Sequence, residues 1–212
     1  MKKLSFEDRD FINSFYRKSR AELGYNSFTG TLSVSHGHGN EVYWDSLEDS
    51  IFYIEVNPED NSRNLIPLFI GPELKTKMKL VKDYVYDGRI DSISYIDHSF
   101  VNDLSRIFSL KPDEESEHEV VCPIERFRSF KEIDTQKRQA NIFFRNNDYS
   151  FSLYDPRHDS SIVKLVEKWE KESPHPTEGC DLRITEFFIK NFNRAGVIGF
   201  NLLINGEVAA YT

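Results

Sequence analysis

Gly196-Val197-Ile198-Gly199-Phe200-Asn201-Leu202-Leu203-Ile204-Asn205-Gly206-Glu207-Val208-Ala209-Ala210-Tyr211-Thr212 is the stretch that decides the architecture of this chain. Two strand-like runs, Val197–Ile204 and Glu207–Thr212, flank Asn205-Gly206, a pair that tolerates the positive φ angles of a two-residue hairpin turn. A β-hairpin is expected there. Reading backward from it, Ile184, Phe187 and Phe188 share a helical face behind Asp181 as cap, with Gly196 just past the last turn. Further back, Ile162, Leu165, Val166 and Trp169 recur at i, i+3, i+4 and i+7 behind Asp159 or Ser160, the clearest helix in the sequence. Tyr149–Tyr154 alternates as a strand before Asp155-Pro156 turns the chain, and Gln136–Phe144 reads as a short helix. This part of the chain is therefore β-α-α-β-β. Its final strand presents an apolar edge, Val208 to Tyr211, of the kind sheets usually cover, so pairing with a second chain or a homodimer is expected.

The N-terminal part reads differently. Ser5-Phe6-Glu7-Asp8 has the form of a capping box, and Phe11, Ile12, Phe15 and Tyr16 mark a helix over roughly 6–20. Strands are predicted at Phe28–Ser35, Ile51–Val56 and Leu65–Ile70, with a shorter one at Val42–Trp44, as an antiparallel meander. Gly71-Pro72 then opens a helix near 73–86 whose Leu74, Met78, Val81 and Val85 share a face. Ile90–Ile96 alternates, Phe100, Leu104, Ile107 and Phe108 mark another helix, and Val120–Ile124 reads as a buried strand. The predicted order is α-β-β-β-α-β-α-β, with Lys111–Glu119 a solvated acidic loop. Boundaries fall at 1–125, a basic linker 126–135, and 136–212.

With 212 residues, 39% hydrophobic and 14% aromatic, the chain can bury a core without staples. Cys122 and Cys180 lack C-x-x-C spacing and read as reduced, buried thiols. No apolar run of about 18 residues and no signal-like N-terminus occur, so a cytoplasmic protein without a membrane span is expected. The net charge of -8 argues against a surface that grips nucleic acid throughout, yet the charge is uneven. Residues 1–125 carry 14 cations against 23 anions, and 126–212 carry 13 against 12. Within the latter, Arg126, Arg128, Lys131, Lys137, Arg138 and Arg145 oppose only Glu132 and Asp134, so an anionic partner is favoured there.

Phe127, Phe130, Phe143 and Phe144 interleave with those cations. Two readings stand: a surface that holds phosphates while the rings stack or pack, or a solvated linker with its phenylalanines turned into the core. His36-Gly37-His38-Gly39 brings two imidazoles together without a third ligand and reads as a flexible turn, with no metal site assigned. His158 beside Ser160 and Ser161 lacks the G-x-S-x-G elbow of a hydrolase. Glu207 lies at the hairpin mouth, by default a surface carboxylate and a weak candidate for a general base.

Gln136-Lys137-Arg138 followed by Phe144, then Tyr149-Ser150-Phe151, the Gly196–Tyr211 hairpin and the opening Ser5–Ile12 resemble the phosphatidylglycerol lysyltransferase C-terminal family. The resemblance spans essentially the whole chain, and members of that family carry two tandem GNAT-type acyltransferase modules. It implies an α+β fold of tandem GNAT-like modules, with mixed, mostly antiparallel sheets flanked by helices and the second module incomplete. It also implies an acyl- or aminoacyl-transferase that moves its group from a phosphate-bearing donor, acyl-CoA or the 3′ end of an aminoacyl-tRNA, to an amine or hydroxyl. No tightly bound cofactor is implied. Lys137, Arg138 and Arg145 would hold donor phosphates, and Gln139 and Tyr211 would contact substrate.

Two departures weigh on the activity. Arg138-Gln139 stands where the family has Arg-Asn, and the family continues for another half-module beyond this hairpin. GNAT-type chemistry further needs a splayed strand pair and a Q/R-x-x-G-x-G/A turn whose N–H groups bind phosphate. No such string occurs, and at the matching Phe69-Ile70-Gly71-Pro72 the proline removes an N–H. The first module is expected to be a degenerate, structural half. A catalytically inactive module that serves binding or assembly is the alternative.

Overall fold

The protein is described by a computed structural model over residues 1–17, 27–47, 50–68, 82, 90–94, 105, 134–174 and 176–212. The fold is α+β, and the chain divides into two compact units, Met1–Glu119 and Val120–Thr212. The predicted helices near 73–86 and 100–108, the strand Val120–Ile124, the acidic loop, Phe69–Pro72 and most of the basic linker lie outside the described residues.

The first unit opens with β1 (Lys2–Lys3), a 3-10 turn (Phe6–Asp8) and α1 (Arg9–Tyr16). Asp8 accepts from the Ser5 N–H at 3.1 Å, the Ser5 hydroxyl at 2.9 Å and the Lys2 ammonium at 2.5 Å. Burial raises the Asp8 pKa, but these donors outweigh it and hold the carboxyl below its usual value. Next come α2 (Phe28–Gly37), β2 (Glu41–Leu47), β3 (Ser50–Val56), β4 (Arg63–Leu68) and β5 (Ser92–Ile93). They form a sheet of order β1-β2-β3-β4-β5, antiparallel except for the β4–β5 pair. Its core gathers Leu4, Ile12, Phe28, Val42, Ile51, Tyr53 and Ile66.

One expectation fails here: Phe28–Ser35 is a helix, not a strand. The Ser27 hydroxyl accepts from the Gly30 N–H at 3.0 Å and the Ser27 carbonyl from the Thr31 N–H at 2.9 Å, which starts the helix. Phe28, Thr31 and Ser35 are all buried, a helical stripe whose second and third members carry hydroxyls. Ser35 donates to the buried Glu55 carboxylate, which also accepts from the Asn64 amide at 3.2 Å. A stripe anchored by hydrogen bonds escapes a reading based on apolar periodicity.

The second unit contains α3 (Asp134–Asn146), β6 (Tyr149–Leu153), a 3-10 turn (Pro156–His158), α4 (Asp159–Glu172), α5 (Cys180–Ala195), β7 (Phe200–Ile204) and β8 (Glu207–Tyr211). Its sheet runs β6-β7-β8, antiparallel throughout. Asn205 and Gly206 both take positive φ, 51° and 82°, as the hairpin turn requires. The expected caps are corrected. Asp155 caps the 3-10 turn through the Arg157 N–H at 2.9 Å, whereas Asp159 accepts from the Tyr154 hydroxyl at 2.5 Å. Gly179, at φ 78°, precedes α5, so Asp181 lies inside the first turn and does not cap it. Glu170 braces that entry by accepting from Thr177 Oγ1 at 2.5 Å and the Gly179 N–H at 3.3 Å.

The two units repeat one another in order: strand, 3-10 turn, helix, helix, strand, strand. The pairings repeat as well. The Leu4 N–H donates to the Val42 carbonyl at 2.8 Å, and the Tyr154 N–H donates to the Gly199 carbonyl at the same distance. Lys3 pairs with Tyr43, and Leu153 pairs with Phe200. The fourth residue of each first helix, Ile12 and Ile162, is fully buried. The helical state of Phe28–Gly37 is what brings the first unit into this correspondence, which the predicted α-β-β-β order had hidden.

Candidate functional site

α3 exposes Lys137, Arg138, Gln139 and Arg145. Arg138 and Arg145, seven residues apart, lie on one helical face, and Lys137 and Gln139 flank Arg138. Among the described residues no carboxylate pairs with the three cations, so their charge is available to an anion. Arg145 in the last turn also suits the negative end of the helix dipole.

The helix ends beside β6. The Phe144 ring stands 4.5 Å from Tyr149 and 6.4 Å from Phe151, and Phe143 meets Phe144 at 5.5 Å. Phe144, Tyr149 and Phe151 are all exposed. Phe144 is therefore exposed and Phe143 half-buried, while Phe127 and Phe130 of the same segment lie outside the described residues. Cations and exposed rings share one helix end.

Tyr211 belongs elsewhere, whereas Glu207 stands in one row with Ile204 and Tyr149 and shares their face of the sheet. Register places Ser152, Asn201 and Tyr211 in one row across the sheet, on the face opposite Tyr149 and Phe151. The Tyr211 hydroxyl meets Thr185 Oγ1 of α5 at 2.7 Å, and burial raises its pKa. Tyr211 is thus a helix-to-sheet contact on a different face from the α3 cations. Glu207 is exposed at the start of β8, directly across from Ile204. The hairpin edge carries a register shift that leaves Ala209 without an opposite residue. A bulge on a short edge strand blunts its tendency to pair, which weakens the expectation of strand addition there.

In the first unit, the parallel β4–β5 ladder joins Asn64 with Ser92 and Leu65 with Ile93. It is extended at either end by Asp91 N–H to Arg63 O at 2.9 Å and Ser94 N–H to Leu65 O at 3.0 Å. Sequence reasoning missed the buried Glu55, whose only signal was a carboxylate within an otherwise apolar run. The turn expected over His36–Gly39 is only half present: His36 and Gly37 end α2, and His38-Gly39 makes the turn, with Gly39 at φ 77°. Among the described residues no group of three or more His, Cys, Asp or Glu is placed to hold a metal. Cys180 is a free, half-buried thiol whose pKa is raised, chiefly by burial. Among the described residues no helix is long and apolar enough to cross a membrane.

No family model matches the chain, and no curated protein matches it. A solved structure that does is a conserved protein of unknown function from Bacteroides thetaiotaomicron VPI-5482. The TM-score is 0.80 at 19% identity, covering 100% of this chain and 73% of that one. At that identity the similarity shows a shared fold.

Proposed function

We propose that this chain is a tandem GNAT-type acyl- or aminoacyl-transferase whose α3 surface holds the phosphates of its donor. The observation that carries the reading is the exposed set Lys137, Arg138 and Arg145 beside the exposed rings of Phe144 and Tyr149. Cations take up the donor's phosphates, and flat rings accept a base, a pairing that suits both coenzyme A and the 3′ end of a tRNA. Gln139, on the same turn, supplies an amide to the bound donor. The acceptor amine or hydroxyl attacks the donor carbonyl, a C–N or C–O bond forms, and the bond to the thiol or ribose oxygen breaks. The acceptor's proton passes to a base, for which Glu207 is the weak candidate. The duplicated element order supports the tandem character of this reading. The protein would act in the cytoplasm, with a second chain completing its assembly.

A second reading is an inactive module used for binding or assembly. It is favoured by the position of Glu207, an exposed carboxylate at a hairpin mouth rather than a shielded one. The two readings separate in a transfer assay. Labelled acyl-CoA and labelled aminoacyl-tRNA are each incubated with the 212-residue chain and a panel of amines and hydroxyl lipids. Label in an acceptor above the protein-free rate supports the transferase; donor bound without transfer supports the binding module; neither binding nor transfer overturns the donor-site reading.

A further inference from the structure

An apolar strip leads away from the ring cluster at the end of α3. On the sheet face opposite Tyr211, rows cross the strands as Tyr149, Ile204 and Glu207, then Phe151, Leu202 and Ala210, then Leu153 and Phe200. The first row meets α3 through the Phe144–Tyr149 contact at 4.5 Å. On that helix Lys137 lies seven residues before Phe144, two turns back on the same face. The rows beyond Tyr149 hold no charge. Phe151 and Leu153 are each 64% exposed, Phe200 46%, and Ile198, two residues before Phe200, 74%.

The first unit shows what the same strands carry when nothing binds this face to an apolar composition. Leu153 and Phe200 form the pair that Lys3 and Tyr43 form there. Gly199 stands at the place of Val42, so Ile198 falls at that of Glu41. In the first unit these positions are polar: the Lys3 ammonium donates to Glu41 Oε1 at 2.5 Å and the Tyr43 hydroxyl to Glu41 Oε2 at 2.8 Å. The fold therefore stands with an exposed ion pair where the second unit exposes leucine and isoleucine, and the strip calls for a ligand.

Its dimensions select the kind of ligand. The strip is two strands wide, about 5 Å between them, and about 14 Å long from Tyr149 to Leu153. Phe144, Tyr149, Phe151, Leu153, Ile198 and Phe200 together expose on the order of 600 Å², taking about 200 Å² for a full residue, less than the roughly 800 Å² that a stable protein partner covers. A narrow uncharged strip that starts at a cationic helix is complementary to an anion with an aliphatic tail. Resting on the donor-site reading above, we propose that the donor is a long-chain acyl-CoA. Its phosphates sit on the α3 cations, and its acyl chain lies along Phe151, Leu153, Phe200 and Ile198. Glu207 bounds the strip on the β8 side, about 10 Å from Tyr149 across two strands. An aminoacyl group is short and carries an ammonium, so it would gain nothing from this surface.

Calorimetric titration of the full chain with acetyl-CoA, octanoyl-CoA and lauroyl-CoA, the last below its micelle concentration, tests the proposal. Affinity should rise along the series, with lauroyl-CoA bound about a hundredfold or more tighter than acetyl-CoA, as burial of the added methylenes requires. Leu153→Lys with Ile198→Glu, which places the first unit's ion pair on this face, should remove most of that preference and leave acetyl-CoA affinity and the urea midpoint in place. Phe11→Ser, at a site 49% exposed in the first unit, should leave the whole series unchanged. Equal affinity for the three thioesters overturns the long-chain inference while the α3 donor site stands. Binding of none of them overturns the inference and a coenzyme A donor together. A chain-length preference that survives Leu153→Lys with Ile198→Glu overturns it, and so does binding to anionic phospholipid vesicles with none to lauroyl-CoA.

Discussion

Gly199→Ala is a sharp test of how the second unit is built. A Cβ at Gly199 would stand 2.8 Å from Tyr154 Cβ, 3.1 Å from Phe192 Cε2 and 3.3 Å from the Thr212 carbonyl oxygen. The first of these is too close for any real contact, and Tyr154 is pinned. Its ring stacks on Phe192 at 4.1 Å and its hydroxyl donates to Asp159 at 2.5 Å. Overpacking of this kind costs about 1–3 kcal/mol. In a unit of this size each kcal/mol lowers the melting midpoint by roughly 4–8 °C. In the first unit the equivalent backbone hydrogen bond joins Leu4 to Val42, and a buried valine fits there. The obstacle at Gly199 is therefore the Cβ of Tyr154, held close by the Tyr154–Gly199 backbone hydrogen bond and by the anchored ring. Tyr154→Gly removes that Cβ, so Gly199→Ala should cost about 1 kcal/mol less in that background. Urea unfolding of the wild type, both single variants and the double variant gives the coupling directly. Strictly additive costs would refute the reasoning.

Other outcomes follow from the same geometry. Ile12→Ala and Ile162→Ala remove equivalent, fully buried side chains, and each should cost about 2–5 kcal/mol in denaturant titration. A cost below 1 kcal/mol at either site would break the equivalence of the two cores. Asn201→Leu replaces a buried amide without a hydrogen-bond partner and should be neutral or stabilising by about 1 kcal/mol; a large loss would show that the amide is held. Arg157 holds the Asp155 carboxyl down to about 2. A depressed carboxylate contributes stability above its unfolded value near 3.9 and loses it as pH falls toward 2. Urea midpoints of Asp155→Asn should therefore fall less steeply than those of the wild type across that window, and parallel curves would sink the assignment.

The second half of the chain was legible because its signals are apolar and local. Asn205-Gly206 fixes the hairpin, and Ile162 and Val166 fix the buried face of α4. The first half hid its pattern at Phe28–Gly37, where Thr31 and Ser35 take the buried positions that apolar residues usually hold. A hydroxyl that is buried because Glu55 accepts from it looks polar in sequence. Caps were misplaced for a related reason. Asp155 caps the 3-10 turn ahead of α4 through the N–H two residues on, and Glu170 reaches the start of α5 from α4 through contacts that only the folded chain brings together. Of the candidate site, Lys137, Arg138, Gln139 and Arg145 could be read from the sequence as a local cluster. The sheet face on which Tyr211 lies depends on register, which a bulge at Ala209 resets.

Equilibrium binding at low salt tests the donor site most directly. Acyl-CoA and aminoacyl-tRNA are titrated separately into the wild-type chain and into Lys137→Glu with Arg138→Glu, with thermal unfolding followed in parallel. The wild type should bind at least one donor, with affinity that falls steeply as salt is added. The double variant should lose that binding while its unfolding stays nearly unchanged, as exposed substitutions usually leave it. Equal donor affinity in the two proteins would contradict the account.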